Sequence, residues 1–234
     1  MPKAKRKVVA KPKPSTKPTT AAKGRSNAKA HDRVDIDASM RRSMSAATEA
    51  NEPPFFFWKE TEREGGFLSP WYKSQFRMEG STYESVGHAI MAEKARVFGD
   101  KEVLQRILAA KSADEQKTWG SNVKGFDEKI WQKEALMIAT RANMKKFFEG
   151  KKSEDLQNWL LALGSRELVF ASPSDRLFGI GSGAATADQA GREQWGQNLF
   201  GESLETVRKK ILQMNDPDFP AVFDKFGGRK NIYW

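Results

Sequence analysis

Side chains able to bind a ligand or transfer a proton concentrate in two short polar stretches. The first, residues 83–100, contains His88, one of only two histidines in the chain, and Lys94. Apolar residues recur in it at helical spacing, which predicts a helix that is either ordinary core or one wall of a polar site. His88 is then a ligand contact or a hydrogen-bonded structural residue, since histidine often has intermediate burial. Lys94 is a point charge for a phosphate or a solvated helix residue.

The second stretch, residues 172–183, pairs an acidic and a basic residue with a run of glycines. Asp175 is a candidate carboxylate for catalysis, and its alternative role is an Asx-turn or a salt bridge to Arg176. Backbone N–H groups near Gly179 and Gly181 can approach a pyrophosphate, although glycine-rich runs are mostly flexible loops. Trp195, which follows, can stack on a base or fill a gap in the core.

Short strands and several capped helices must hold these stretches in place. Glu79-Gly80 predicts a hairpin turn, and Asp100, the pair Ser112 and Glu115, and Asp127 predict helix starts. The remaining predicted elements are strands at 55–58 and 168–171 and helices at about 83–100, 127–148, 153–163 and 204–214. This order predicts an α+β fold, mainly α-helical with a few short strands.

The charge is confined to the N-terminus. Residues 1–42 contain 13 Lys/Arg and three Asp, a net of +10, which equals the formal net charge of the whole chain. Residues 1–50 lack aromatic residues and are predicted to be a disordered basic tail, because they cannot bury enough apolar surface to offset their ordering entropy. A single domain is predicted at 51–214 and a C-terminal extension at 215–234. The basic cluster is formed by Lys3, Lys5, Arg6 and Lys7.

Such a cluster is typical of a nuclear-import signal, a contact to nucleic acid or another polyanion, or a solubilising tail. The chain has no cysteine, which excludes disulfides and thiolate metal sites. With two histidines, no metal site is predicted, and no run approaches the roughly 18 apolar residues of a membrane span. An N-terminal secretory signal is also missing. We therefore expect a soluble protein of the nucleus or cytoplasm, without cofactor or membrane partner.

An ordered set of motifs resembles the NADAR family, whose members include an N-glycosidase of riboflavin-pathway intermediates and enzymes that remove ADP-ribose from modified guanine. The resemblance covers about residues 55–213. Its motifs are Phe56-Phe57-Trp58, Gly66-Phe67-Leu68-Ser69, Tyr83 to Ala89, Glu93-Lys94-Ala95, Phe98-Gly99-Asp100, Val123 to Asp127 with Trp131, Asn143, Lys146-Phe147, Leu168-Val169, Ala171-Ser172-Pro173, Asp175-Arg176, Gly179-Ile180-Gly181 and Trp195 to Asn198 with Gly201.

The chain departs from the family pattern at several polar positions. Gly87 stands where the family has a glutamate, its best candidate for the catalytic carboxylate, and Phe170 replaces a second glutamate. The other departures are Pro70 for asparagine, Trp119 for leucine, Ser121 for arginine and Phe178 for tryptophan.

The resemblance implies an ADP-ribose or ribosyl-phosphate ligand, bound by residues of the retained motifs: Tyr83, His88, Lys94, Arg176, Gly179, Gly181, Trp195 and Asn198. Cleavage of an N-glycosidic bond develops positive charge on the ribose, which a nearby carboxylate stabilises. Glycine at 87 supplies no such group, so we expect binding with weak or no turnover. Glu84 and Asp175 are the candidate replacement carboxylates, Glu84 only if the helix begins by Tyr83. The alternatives are an active N-glycosidase and a protein that associates with nucleic acid through its tail.

Overall fold

The structure is a computed structural model and describes residues 52–216, which belong to one compact unit. The predicted tail, with the basic cluster Lys3, Lys5, Arg6 and Lys7, and all but the first two residues of the predicted extension lie outside the described residues.

Helices dominate the described part of the chain. In order they are α1 (Val86–Val97), α2 (Lys101–Ala109), α3 (Ala113–Ser121), α4 (Glu128–Glu149), α5 (Ser153–Ala162), α6 (Ala184–Ala190) and α7 (Leu199–Asn215), with 3-10 turns at Gly66–Leu68 and Arg192–Gln194.

The four short strands form two separate pairs. Strands β1 (Phe55–Phe57) and β4 (Leu168–Phe170) are parallel, with Phe56 opposite Val169. Strands β2 (Phe76–Met78) and β3 (Ser81–Tyr83) form an antiparallel hairpin. Its turn is the predicted Glu79-Gly80, and both residues have positive φ (49° and 72°), as the favoured two-residue hairpin turns require. The α+β prediction is confirmed.

The predicted helix caps are also confirmed. The side chains of Asp100, Ser112 and Asp127 each accept a hydrogen bond from the backbone N–H three residues later, at 3.1, 3.2 and 3.0 Å. Ser85 caps α1 in the same way. These contacts satisfy N–H groups that have no partner within the helix.

Two helix boundaries differ from the prediction. Helix α1 begins at Val86, because Tyr83 is the last residue of β3 and Ser85 is the cap. Helix α7 begins at Leu199, five residues before the predicted start, and follows Asn198 in a left-handed conformation. The glycine-rich stretch is followed directly by the short helix α6, which the sequence did not predict.

Helix α4 organises the core and contacts α1, α5 and α7. Phe147 and Ile138 of α4 are buried. Glu93 of α1, 5% exposed, pairs with Arg141 of α4 at 2.6 Å, so an ion pair at the edge of the core fixes α1 against α4.

None of the helices in residues 52–216 has the length and apolar character that a membrane span requires. The same residues contain no group of three or more acidic, histidine or cysteine side chains placed to hold a metal ion.

Candidate functional site

One candidate site is a cavity of about 860 Å³, called here the main cavity. Its walls come from α1, α3, the first residue of α4, the segment after β1 and the segment after β4. A volume of this size is within the usual range for small-molecule pockets, about 300–1,000 Å³.

Four cationic side chains border the main cavity: Lys59, Lys94, Lys117 and Arg176. Lys117 pairs weakly with Asp114 at 3.4 Å. Within residues 52–216 the other three have no carboxylate partner at ion-pair distance. Lys94 lies instead over the ring of Phe126, with Nζ 4.1 Å from the ring centroid, and burial lowers its pKa. The cavity therefore offers positive charge that an anionic ligand can neutralise.

Three carboxylates also line the main cavity: Glu60, Glu128 and Asp175. Glu60 and Glu128 are exposed, whereas Asp175 is half-buried. The Oδ1 atom of Asp175 accepts hydrogen bonds from the N–H groups of Leu177 and Phe178, at 3.0 and 2.9 Å. This is the Asx-turn foreseen as its alternative role, so Asp175 both shapes the loop and faces the cavity.

Gly87 lies in the wall of the main cavity under the indole of Trp71. A β-carbon added at residue 87 would stand 2.8 Å from Cδ2 and Cε3 of Trp71 and 2.9 Å from Cε2. Three nearly equal distances place that carbon over the face of the six-membered ring. The Gly87 N–H donates to the carbonyl of Pro70 at 2.6 Å, and Lys117 Nζ lies 4.6 Å from the indole centroid. An aromatic ring thus occupies the space that a side chain at residue 87 would need.

The departures from the NADAR pattern converge on this cavity. Five of the six line it: Pro70, Gly87, Ser121, Phe170 and Phe178. Phe170 is 5% exposed, and its ring packs 5.5 Å from those of Phe57 and Phe200. Phe170 is therefore an aromatic core residue, and this part of the cavity lining is apolar.

Three of the predicted site residues, Lys94, Asp175 and Arg176, line the main cavity. They come from α1 and from the loop after β4, and the fold brings them together across about 80 residues of sequence. The Arg176 side chain also donates to the carbonyl of Gln194 at 2.9 Å. No salt bridge between Asp175 and Arg176 is present within the described residues.

Glu84, Tyr83 and His88 lie elsewhere. Glu84 precedes the helix and does not share a helix face with Gly87; it is exposed and accepts a hydrogen bond from Gln75 at 2.9 Å. Tyr83 is fully buried, and its hydroxyl accepts from Arg96 at 2.7 Å. The premise that placed Glu84 beside Gly87, a helix beginning by Tyr83, is therefore wrong.

His88 has the environment of a structural residue. Its Nε2 lies 3.0 Å from the carbonyl of Ile107, and its Nδ1 accepts from the N–H of Glu84 at 3.4 Å. One neutral tautomer satisfies both contacts, and burial lowers the pKa of the imidazole. His88 and Glu84 line a smaller cleft of about 430 Å³, called here the second cleft.

The four remaining predicted residues also lie outside the lining of the main cavity. Asn198 ties α7 to β4: its Oδ1 accepts from Phe170 N–H and its Nδ2 donates to the Leu168 carbonyl, both at 2.9 Å. The indole N–H of Trp195 donates to the carbonyl of Ala187 at 3.1 Å. The Gly181 N–H donates to the Asp175 carbonyl at 2.9 Å, and Gly179 is buried beneath the loop. These residues shape the loop behind the cavity.

Sequence reasoning missed several residues of the main cavity: Trp58, Lys59, Glu60, Trp71, Lys117 and Glu128. Trp58 stands in a motif of the resemblance but was assigned to a strand. Lys117 and Glu128 lie on exposed helix positions whose pattern carries no site signal. Trp71 follows Pro70, a recognised departure, and that adjacency was the available clue.

Comparisons with known proteins agree with this architecture. The NADAR domain model matches residues 56–212. The chain is 32% identical over 166 residues to N-glycosidase R617 of Acanthamoeba polyphaga mimivirus, covering 68% of this chain and 96% of that protein. It is 30% identical over 124 residues to Protein irg-1 of Caenorhabditis elegans, covering 52% of this chain and 57% of that one.

A solved structure shows a similar fold. The NMR structure of the E. coli protein YbiA matches with a TM-score of 0.53 and 18% identity, covering 77% of this chain and 92% of that one. The family match spans more than half of the chain and includes every segment that lines the main cavity. The chain belongs to the NADAR family.

Proposed function

We propose that the main cavity binds an ADP-ribose-like or ribosyl-phosphate ligand and hydrolyses it weakly or not at all. The proposal rests on two features that occur together in the main cavity. The cavity has cationic side chains without carboxylate partners among the described residues, and the Trp71 ring covers Gly87. Lys59, Lys94 and Arg176 face the cavity without carboxylate partners among residues 52–216, and phosphate groups supply the complementary charge. Above Gly87 the Trp71 ring occupies the space that a side chain at residue 87 would need, which supports the expected loss of turnover.

The expected loss of rate is large. General acid–base help from a positioned side chain is typically worth about 10²–10⁴-fold. Asp175, the remaining half-buried carboxylate of the cavity, already accepts two backbone hydrogen bonds. Its Oδ1 is therefore committed to the Asx-turn.

An active N-glycosidase is the second candidate. It is favoured by the similarity to N-glycosidase R617 and by the three carboxylates that line the cavity, Glu60, Glu128 and Asp175. In glycoside hydrolysis, two carboxylates flanking the bond are the usual requirement. Three acidic side chains leave that possibility chemically available.

Product release separates the two functions. The full chain is incubated with ADP-ribosylated guanine in DNA and with riboflavin-pathway intermediates, and release of base and ribose phosphate is measured. Tryptophan fluorescence reports binding, because Trp58 and Trp71 line the cavity. We expect saturable fluorescence changes and release no faster than without protein. Release above that background that is lost in Asp175→Asn, Glu128→Gln or Glu60→Gln would establish the second function instead.

A further inference from the structure

Trp71 borders both the main cavity and the second cleft. Among the described residues that line either space, it is the one common to both. Helices α1 and α3 border both, since Gly87 and Lys117 face the main cavity and their neighbours His88 and Gln116 face the second cleft. The indole lies against Gly87 of α1 and under the ammonium of Lys117 of α3. The ring therefore contacts both helices.

The indole makes no hydrogen bond through Nε1 within residues 52–216. Its contacts include the backbone of Gly87 and the cation of Lys117. Glycine at 87 makes room for the ring, since any β-carbon there would overlap it. The position of the ring thus depends on the Trp71 side chain itself and on the absence of a side chain at residue 87.

The second cleft has the chemistry to hold a further part of a phosphorylated ligand. Its lining includes Lys73 and Lys111 and one carboxylate, Glu84. Lysine ammonium groups bind phosphates as compact point charges.

We propose that Trp71 is the specificity-determining residue that restricts the site to one ADP-ribosyl unit. This inference rests on the proposed function and deepens it, because it names the ligand class as a single free unit. A chain of such units, or a nucleotide that continues into a strand on this side, meets the indole. Without the ring, the second unit enters the second cleft.

The test compares ADP-ribose with its linear dimer by calorimetric titration. The measured quantity is the ratio of the Kd of ADP-ribose to the Kd of the dimer. In the wild type we expect no gain from the second unit, a ratio within about twofold of one. In Trp71→Ala the ratio rises at least tenfold, about 1.4 kcal/mol. If Trp71→Ala is poorly folded, Trp71→Leu replaces it in the test, since it keeps an apolar side chain on Gly87. We expect the Kd ratio to rise in this variant as well.

Two variants control the result. Trp58→Ala removes another tryptophan of the main cavity that does not line the second cleft, and its ratio stays at the wild-type value. Trp71→Ala/Lys111→Met loses most of the gain, because Lys111 lies in the second cleft alone. An unchanged ratio in both Trp71 variants, or a tenfold preference for the dimer in the wild type, overturns the proposal. Failure of the wild type to bind either probe overturns the proposed function and this inference together.

Discussion

The ring of Trp71 lies on the backbone of Gly87, close enough that a β-carbon added at residue 87 would stand 2.8 Å from two ring atoms. The two residues are 16 positions apart and meet because Gly87 N–H bonds to the carbonyl of Pro70, which precedes the tryptophan. A side chain at residue 87 and the indole of Trp71 therefore exclude each other.

The effect of Gly87→Ala on the unfolding free energy should reverse its sign when Trp71 is also replaced by alanine. In the wild type the new methyl group overlaps Trp71, and overpacking typically costs about 1–3 kcal/mol. In Trp71→Ala the overlap is gone, and replacing glycine in a helix gains up to about 1 kcal/mol. Urea unfolding should show destabilisation in the first case and stabilisation in the second.

Trp58→Ala serves as a control background, in which Gly87→Ala is measured as it is in Trp71→Ala. Trp58 lines the same cavity, but it is not among the atoms that a β-carbon at Gly87 would meet. Changes at sites without contact are additive within about 0.5 kcal/mol. If Gly87→Ala costs the same in all three backgrounds, the indole is not seated on Gly87.

Replacing His88 should lower stability with little effect on ligand binding, and replacing Lys94 should weaken ligand binding with little effect on stability. His88→Ala removes the contact of Nε2 with the Ile107 carbonyl, which keeps its hydrogen bond from the Ala110 N–H. The loss of one such hydrogen bond costs about 0.5–1.5 kcal/mol of unfolding free energy. Because His88 faces the second cleft, the Kd of ADP-ribose should change less than twofold. Lys94→Ala should do the reverse, with a Kd about tenfold higher and a stability loss of about 1 kcal/mol or less for the contact with Phe126. Equal effects of both variants on Kd would contradict the assigned positions.

Lys146 makes stability depend on pH. The side chain is fully buried in α4, and Nζ donates to the carbonyl of Phe67 at 2.6 Å without a carboxylate partner in residues 52–216. Burial lowers its pKa to about 7, from an ordinary value of 10.5. Between these pH values the unfolded chain binds a proton that the folded chain lacks. The contribution of Lys146 to the unfolding free energy therefore rises with pH across this window, by at most about 1.4 kcal/mol per unit.

The measurement is the difference in unfolding free energy between the wild type and Lys146→Met from pH 7 to pH 9. The wild type should gain stability relative to this variant as the pH rises. Lys145→Met removes a lysine from the same helix that reaches Glu149 at 2.6 Å, and serves as the control. A difference that stays constant for Lys146→Met would show that this amine is charged at every pH tested.

The basic tail yields a prediction that does not depend on the cavity. Residues 1–42 carry the whole net charge, so the full chain should bind duplex DNA with an affinity that falls steeply with salt. A chain lacking residues 1–42 should bind much more weakly. Fluorescence anisotropy at several salt concentrations measures both. Equal, salt-insensitive binding would remove the tail from any role in nucleic-acid association.

Local chemistry explains which parts of the structure the sequence predicts. The caps at Asp100, Ser112 and Asp127 and the turn at Glu79-Gly80 depend on residues within three positions of one another. Asn198 depends on strand residues about 30 positions away, so its motif indicated importance without indicating its structural role.

The errors at the site have the same origin. Glu84 was expected in the main cavity on the assumption that α1 begins by Tyr83, and a start at Val86 places it in the second cleft. Trp71 gave no periodic signal, because its contact with Gly87 exists only once the segment after the 3-10 turn folds onto α1. The departures were recognised individually, whereas their meeting in one cavity required the fold.

The most direct measurement of the central claim is a calorimetric titration of the full chain with ADP-ribosylated guanosine, which retains the N-glycosidic bond that turnover would break. The ligand is then recovered from the calorimeter and analysed by chromatography. We predict saturable binding to one site, a Kd at least tenfold higher in Lys94→Met/Arg176→Met, and ligand recovered intact. Absence of binding, or binding that these two substitutions leave unchanged, would contradict the account.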